Sequence, residues 1–401
     1  MITKLFAQKM FEGFSIQRWN DRIRPIDLNE MDKSAFKMII AYFIAKYEEQ
    51  KGTVINWNKI ISAGFFEFLK KVVLSDIKAP VHRKIKEEYP DEFKELNSWV
   101  VEQYDTIIDN KKILNNFSKF LSEKEDLEDI NYRILRAAHK YSSYREFEII
   151  KTLNPPSPNL EKVEKELLND LHDFLDFKGL QLLLTKQQLF ELVTIIEQLR
   201  FQVRWSQTPR IPRTSVLGHS FLVASFSFVL SYELGIELCD KRIYNNFFCG
   251  LFHDLPEAVT RDIISPVKRA TKALPEIVSK IEDLILEKEL YPLVDHQFID
   301  ELKYFTKDEF DNKVKIDNNI KKVEFEEINE KYNEDKYYPL DGKIIKLADE
   351  MAAFLEAYQS IQYGIKSTHI NEGLTYLKNK YKETNNINGL KVKRFFKEFE
   401  S

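Results

Sequence analysis

The chain has 401 residues, and its 60 lysines and arginines against 64 aspartates and glutamates give a formal net charge of −4, which excludes a basic nucleic-acid scaffold. Hydrophobic residues at 43% and charged residues at 31% exclude a disordered chain, and 11 glycines with 13 prolines are too few turn-formers for an all-β sandwich. The length suits two to three domains, each able to bury its own core, and an all-α fold is expected. Residues 1–14 carry mixed charge without an apolar run, so no signal peptide is expected there. Asn154-Pro155-Pro156-Ser157-Pro158 stops any helix and predicts a stiff extended connector near mid-chain. Beyond it, Leu189, Leu192, Ile195, Ile196 and Leu199 recur at three- and four-residue steps and make one apolar helical stripe. Residues 221–230 and 247–252 are apolar nearly all round, which places them in a core. Cys239 and Cys249 cannot build a disulfide framework for a chain of this size, which points to a reducing, cytoplasmic setting. No run of ~20 apolar residues predicts a membrane span. Residues 308–335 are polar and read as a long loop or solvated helix, and residues 391–400, charged around Phe395 and Phe396, read as a solvated tail.

An internal repeat organises the chain. A shift of 186 residues superposes Arg18-Trp19 on Arg204-Trp205, Gly64 on Gly250, Phe66 on Phe252, Leu69 on Leu255, Asp76-Ile77 on Asp262-Ile263 and Pro80-Val81 on Pro266-Val267, without a gap. Later the offset becomes 210, where residues 136–140 meet residues 346–350. This period far exceeds that of a solenoid and predicts two copies of one helical domain. The expected boundaries are 1–160 for the first copy, 161–185 for a connector and 186–401 for the second.

In the second copy, His219, the adjacent His253-Asp254, and Asp349 each fall in a helical stretch of apolar or small neighbours. Charge buried that way is costly unless it is paired or bound to metal. Two imidazoles and two carboxylates form a mixed nitrogen and oxygen ligand set suited to one divalent ion, whether Mn, Fe, Co, Zn or Mg. Taken singly, each of these residues reads as a satisfied core residue; together they read as a site.

The ordered pattern of His, His-Asp and a distant Asp resembles the HD-domain superfamily of metal-dependent phosphohydrolases. More narrowly, it is similar to the bacterial 5′-deoxynucleotidase branch. Residues 253–268 carry that branch's HD-x-x-E-x-x-x-x-D-x-x-x-P-V-K signature, and Arg204-Trp205 precede His219 at its spacing. The resemblance covers roughly residues 190–360. It implies an all-α tandem of two HD-domain folds, the first degenerate, with His219, His253, Asp254 and Asp349 holding the metal. Glu257, three residues after Asp254 and so near the same helical face, suits general base and acid work. The resemblance gives Asp262 a part in orienting the nucleophile or contacting substrate, while Arg204 suits a terminal phosphate and Lys268 adds positive charge nearby. It also makes Trp205 a wall against the sugar that disfavours a 2′-hydroxyl. The activity implied is hydrolysis of (deoxy)nucleoside 5′-monophosphates. A phosphohydrolase of nucleoside triphosphates or cyclic nucleotides, and a nucleotide-binding regulatory module, are the rival readings. The expected partner is a small nucleotide, with no nucleic acid and no membrane, in a homo-oligomer or a pseudo-dimer within one chain.

At the ligand positions the first copy differs throughout. His219 meets Lys33, His253 meets Glu67, Asp254 meets Phe68, Glu257 meets Lys71, and Asp349 meets His139. A Lys and a Phe do not ligate a divalent ion, so no catalytic metal is expected there. Ion pairs of Lys33 and Lys71 with Glu67 are the expected replacement, and the surviving Arg18, Trp19 and Asp76 leave open either packing or nucleotide-binding regulation.

Overall fold

The computed structural model describes residues 1–123, 126–261, 271–384 and 386–400. Helices dominate. Those that position the site are α1 (Glu30–Gln50), α2 (Trp57–Leu74), α3 (Ile130–Lys151), α4 (Val216–Tyr232), α5 (Asp240–Phe252) and α6 (Gly342–Gln362). Each of α1 to α4 opens on a polar side chain that accepts an otherwise unpaired backbone N–H: Asn29 from Asp32, Asn56 from Lys59, Asp129 from Tyr132 and Ser215 from Gly218.

The apolar circumference of α4 has a clear cause. Residues 216–231 are buried on every side, because α4 packs against α5 and α6 on one flank and against α1 on the other. Helices α2 and α5 also touch, so equivalent elements of the two halves face each other. Aromatic rings cross the seam: Phe68 with Phe221 at 5.1 Å, Phe65 with Phe228 at 5.3 Å, Tyr42 with Phe252 at 5.1 Å and Trp57 with Phe248 at 5.4 Å between centroids. Instead of a core for each half, one continuous core runs from Ile2 to Phe399. Polar groups join at the seam as well, where Glu301 accepts hydrogen bonds from Tyr42 and Tyr244, each at 2.8 Å, and pairs with Lys46 at 2.9 Å.

Backbone details recur at the 186-residue register. The caps Asn29 and Ser215 are 186 apart, and so are the isolated bridges Gln17 to Asn29 and Val203 to Ser215. Positive φ angles fall on Trp19 (54°) and Trp205 (56°), and on Ser75 (60°) and Arg261 (64°). Gly64 and Gly250 leave room for the neighbouring helix in the same way, with Met38 opposite one and Ala224 opposite the other.

Three expectations are corrected. Pro155 and Pro156 do interrupt the helices, but Pro158 opens a new one, Pro158–His172, capped by Ser157 and packed on α3. Proline is well tolerated in a first turn, where its missing N–H is no loss. With Lys178–Leu184 packed on α1, residues 161–185 are mostly helical and docked. The polar region 308–335 holds an antiparallel hairpin, β1 (Asn312–Ile316) and β2 (Asn319–Lys322), joined by Asp317 and Asn318 at positive φ. A short β3 (Leu340–Asp341) completes a sheet ordered β2-β1-β3, anchored to α5 by a buried two-bond pair between Arg242 and Asp341. The alternation in Lys313-Val314-Lys315-Ile316 is the strand signal that the charge count concealed. Finally, the tail forms a helix, Val392–Lys397, whose Phe395 and Phe396 are buried, the latter stacked on Tyr381 at 4.6 Å. Among the described residues, no helix is long and apolar enough to cross a membrane.

Candidate metal centre

His219 stands one turn inside α4, where its backbone N–H bonds to Ser215 O. His253 is the C-cap of α5, Asp254 follows it in a turn, and Asp349 lies on α6. Packing these three helices together brings ligand atoms of His219, His253 and Asp349 within 4.8 Å of one another. His219 Nε2 is 3.2 Å from Asp349 Oδ1, and the two imidazoles are 5.6 Å apart between centroids. Asp254 Oδ2 joins from the side, 3.3 Å from His253 Nε2 and 4.0 Å from His219 Nε2.

The residues fit a divalent ion. Ligand bonds of about 2.0–2.2 Å to one centre place donor atoms roughly 3–4 Å apart. Of the far nitrogens, His253 Nδ1 donates to Gly250 O at 2.8 Å, while the buried His219 Nδ1 faces the Glu356 carboxylate at 3.3 Å without forming a hydrogen bond. That leaves both Nε2 atoms turned to the carboxylates, and His253 Nε2, though buried, makes no hydrogen bond.

The charges favour a cation. Burial would push the Asp349 carboxyl up, but Lys346 and His219 hold it well below the usual carboxylate range. Asp254 is held low in the same way, burial being outweighed by His253 and then Arg204. For His253, burial acts downward and the Asp254 carboxylate upward, and the net is a rise to about 9. An imidazole kept charged in a buried place reports how negative that place is.

Around the ligands stands a second set of residues. Arg204 reaches Asp254 Oδ2 with Nη1 and Glu356 Oε2 with Nε, both at 3.4 Å. Trp205 donates its indole N–H to the same Glu356 oxygen at 2.8 Å, which holds the residue in its left-handed backbone conformation. The edge of its ring lies against Gly373, where a Cβ would come within 2.9 Å. Glu257 is buried one turn beyond Asp254, and its backbone carbonyl accepts from Gln202 Nε2 at 2.8 Å. Asp262 and Lys268 lie outside the described residues.

Three neighbours went unread in the sequence. Glu356, fully buried, gathers Arg204, Trp205, Thr214 and His219 around one carboxylate. It lies seven residues after Asp349, two turns along the same face, and 210 after Glu146, so both the helical period and the repeat pointed to it. Arg210 Nη2 donates to Arg204 O at 3.2 Å, and Lys346 Nζ donates to Asp349 Oδ2 at 2.9 Å.

The equivalent place in the first half keeps the frame and not the ligands. Arg18 Nε donates to Glu146 at 3.0 Å and Trp19 Nε1 to Glu146 at 3.0 Å, repeating the Arg204, Trp205 and Glu356 arrangement. Arg18 Nη1 is then taken up by Glu30 at 2.9 Å and Asp76 at 3.4 Å. Position 216, which corresponds to Glu30, is a valine. Lys33 is buried, with Nζ donating to His139 O at 2.9 Å and Ser143 Oγ at 2.6 Å. The partner of Glu67 is Lys37 at 2.8 Å, not the expected Lys33 or Lys71, because Lys37 is the lysine of α1 that faces α2.

Residues 196–378 match the family model described as HD domain. Over 80 residues the chain is 39% identical to 4′-phosphooxetanocin A phosphatase from Priestia megaterium, an alignment that takes in 20% of this chain and 41% of that protein. The match thus spans less than half of that relative's length. His219, His253, Asp254 and Asp349 all lie inside the family segment, on the helices that converge at the carboxylate and imidazole cluster. The likeness to the HD domain is thus carried by residues 196–378, just under half of the chain.

Proposed function

We propose that the protein is a metal-dependent phosphomonoesterase that hydrolyses (deoxy)nucleoside 5′-monophosphates to nucleoside and phosphate. The observation that carries this reading is the convergence of His219, His253 and Asp349 beside an Asp254 that Arg204 touches. His219, His253, Asp254 and Asp349 would hold a divalent ion, which when bound would supply Lewis acidity and water activation. The remaining chemistry belongs to side chains. Arg204 Nη1, now on Asp254, is placed to turn to a phosphate oxygen and hold its charge in the transition state. Glu257 takes a proton from the attacking water and returns it to the leaving 5′-oxygen. Trp205, fixed through Glu356, forms the flat wall against the sugar, and Asp262 and Lys268 complete the set by resemblance to the 5′-deoxynucleotidase branch.

The matching caps, bridges and positive φ angles at the 186-residue register support a tandem of two HD-like folds, the first degenerate. In that half Glu30 and Asp76 occupy the guanidinium that would receive an anion, which supports a structural role over a second nucleotide site. The chain then forms a pseudo-dimer by itself.

The test is phosphate release from dNMPs, NMPs and dNTPs with Mn, Co or Mg. Release of orthophosphate from dNMPs, lost on EDTA treatment and in Asp254→Ala, is the expected result. Persistent activity in either case overturns the metal mechanism. Pyrophosphate or triphosphate as product would assign a different bond, and tight nucleotide binding without turnover would make the site a sensor.

A further inference from the structure

The seam between the halves passes close to one ligand of the centre. Helices α1 and α4 meet at their first turns, where the two caps Asn29 and Ser215 flank the Asp32 carboxylate. Asn29 Nδ2 donates to Asp32 Oδ2 at 2.9 Å, and the Ser215 hydroxyl donates to Asp32 Oδ1. Ser215 Oγ in turn accepts the Gly218 N–H at 2.9 Å, while Ser215 O accepts the N–H of His219 at 3.0 Å. Asp32 and Ser215 are both buried. The approach is close enough that a Cβ on Gly218 would lie 2.8 Å from Asp32 Oδ1 and 2.5 Å from the Phe14 ring, which only glycine relieves.

We infer that Asp32, a residue of the first half, is a positioning residue for the metal centre of the second half, acting on His219 through the hydroxyl of Ser215. A serine cap is free to rotate its hydroxyl, and in rotating it gives up the N–H it should accept. An acceptor fixed on the opposite helix removes that freedom. The hydroxyl proton points to Asp32, the lone pairs stay on Gly218 N–H, and the first turn of α4 is locked one residue before His219. The carboxylate also lies at the N-terminal end of both helices, where negative charge is favourable. The first half thus acts as a fixed partner for the helix that supplies a ligand. This inference rests on His219 being a ligand, and it holds whatever the substrate.

The experiment is calorimetric titration of Mn2+ into the full-length, metal-stripped chain, with thermal melting of the same samples. Asp32→Ala should weaken Mn2+ binding by at least about 10-fold, as loss of a ligand's support typically does. Asp32→Asn, which keeps an oxygen acceptor for Ser215, should stay within about 3-fold of the parent, since the hydroxyl keeps a partner. Ser215→Ala removes the relay without touching the first half and should match Asp32→Ala, so the idea remains testable if Asp32→Ala does not fold. Asn56→Ala, which loses the cap of α2, should lower the melting temperature by a few degrees and leave Mn2+ affinity unchanged. Parental affinity in Asp32→Ala or Ser215→Ala, or an equal affinity loss in Asn56→Ala, would overturn the inference. If the parent binds Mn2+ and releases no phosphate from nucleotides, the proposed activity falls and the positioning role stands. If the parent binds no Mn2+, both fall.

Discussion

The first and second halves place an arginine, a tryptophan and a buried glutamate in the same arrangement, and among the described residues the second half alone adds a cluster able to hold a metal ion. Arg18, Trp19 and Glu146 persist where Lys33, Glu67 and Phe68 have replaced two imidazoles and a carboxylate. The arrangement is therefore architecture first: it ties the loop before α1 or α4 to the long helix α3 or α6. Chemistry is a second layer that depends on a handful of positions. In the first half those positions satisfy each other, with Lys33 Nζ donating to His139 O and Ser143 Oγ and the Arg18 guanidinium held by Glu30, Asp76 and Glu146. Burial pushes the Lys33 amine far below its ordinary range, which marks the place as too dry to welcome further charge.

Substitution at corresponding positions puts this division under test, and the largest effect is expected at the ligands. Asp349→Ala should abolish Mn2+ binding and phosphate release, a loss of about 10³-fold or more, whereas His139→Ala should leave both within about 2-fold, a stability effect alone being expected. Comparable activity losses in the two variants would mean that the first half takes part in the chemistry. A smaller contrast is expected at the shared glutamates. Glu356→Gln should lower kcat/KM about 10- to 100-fold, because His219 and Arg204 both lean on that carboxylate. Glu146→Gln should instead destabilise the fold by about 3–5 kcal/mol in urea unfolding, since it leaves a buried guanidinium short of charge, with kcat/KM unchanged.

The seam supplies a pH-dependent test. Burial would raise the Glu301 carboxyl, but Lys46 and then Lys241 lower it to about 2. A depressed carboxyl stabilises the fold above its ordinary value and loses that contribution as the pH falls toward the folded value. The window therefore runs from about pH 4.5 down to 2 and is worth on the order of 3 kcal/mol. In urea titrations between pH 5 and 3, Glu301→Gln should show a flatter decline than the parent; parallel declines would remove Glu301 as the acid-sensitive clasp. The smallest effect belongs to the connector, where Ser157→Ala should cost about 1 kcal/mol by uncapping Pro158–His172. No change there would remove the Ser157 hydroxyl as a stabilising cap of that helix.

Much of the site was legible because its residues are rare and ordered. Tryptophan and proline hold a register that common residues do not, and the repeat follows from them, while the adjacent His-Asp pair marks the second half alone. What was lost follows from averaging. Val314 and Ile316 alternate with lysines over only four residues, so a strand vanished inside a charged window. Phe395 and Phe396 looked solvated beside their charged neighbours, while in space they meet Phe354 and Tyr381. Glu356 was overlooked as one more acidic residue, although its apolar surroundings on α6 were the clue to a buried carboxylate. The shared core was hidden for a different reason. Helix α4 is apolar all round, a pattern that announces burial on every face without saying which neighbour covers which.

The close contact of Asp32 with Gly218 has a consequence for heredity. These two positions are themselves 186 residues apart, so in a pair of identical subunits both would have to be the same residue. Two aspartates would set carboxylates against each other across the axis, and two glycines would offer neither cap an acceptor. A single gene encoding both halves lifts that restriction. One side is free to evolve a carboxylate, the other to retreat to a bare backbone, and inheritance keeps the unequal pair together in every molecule made.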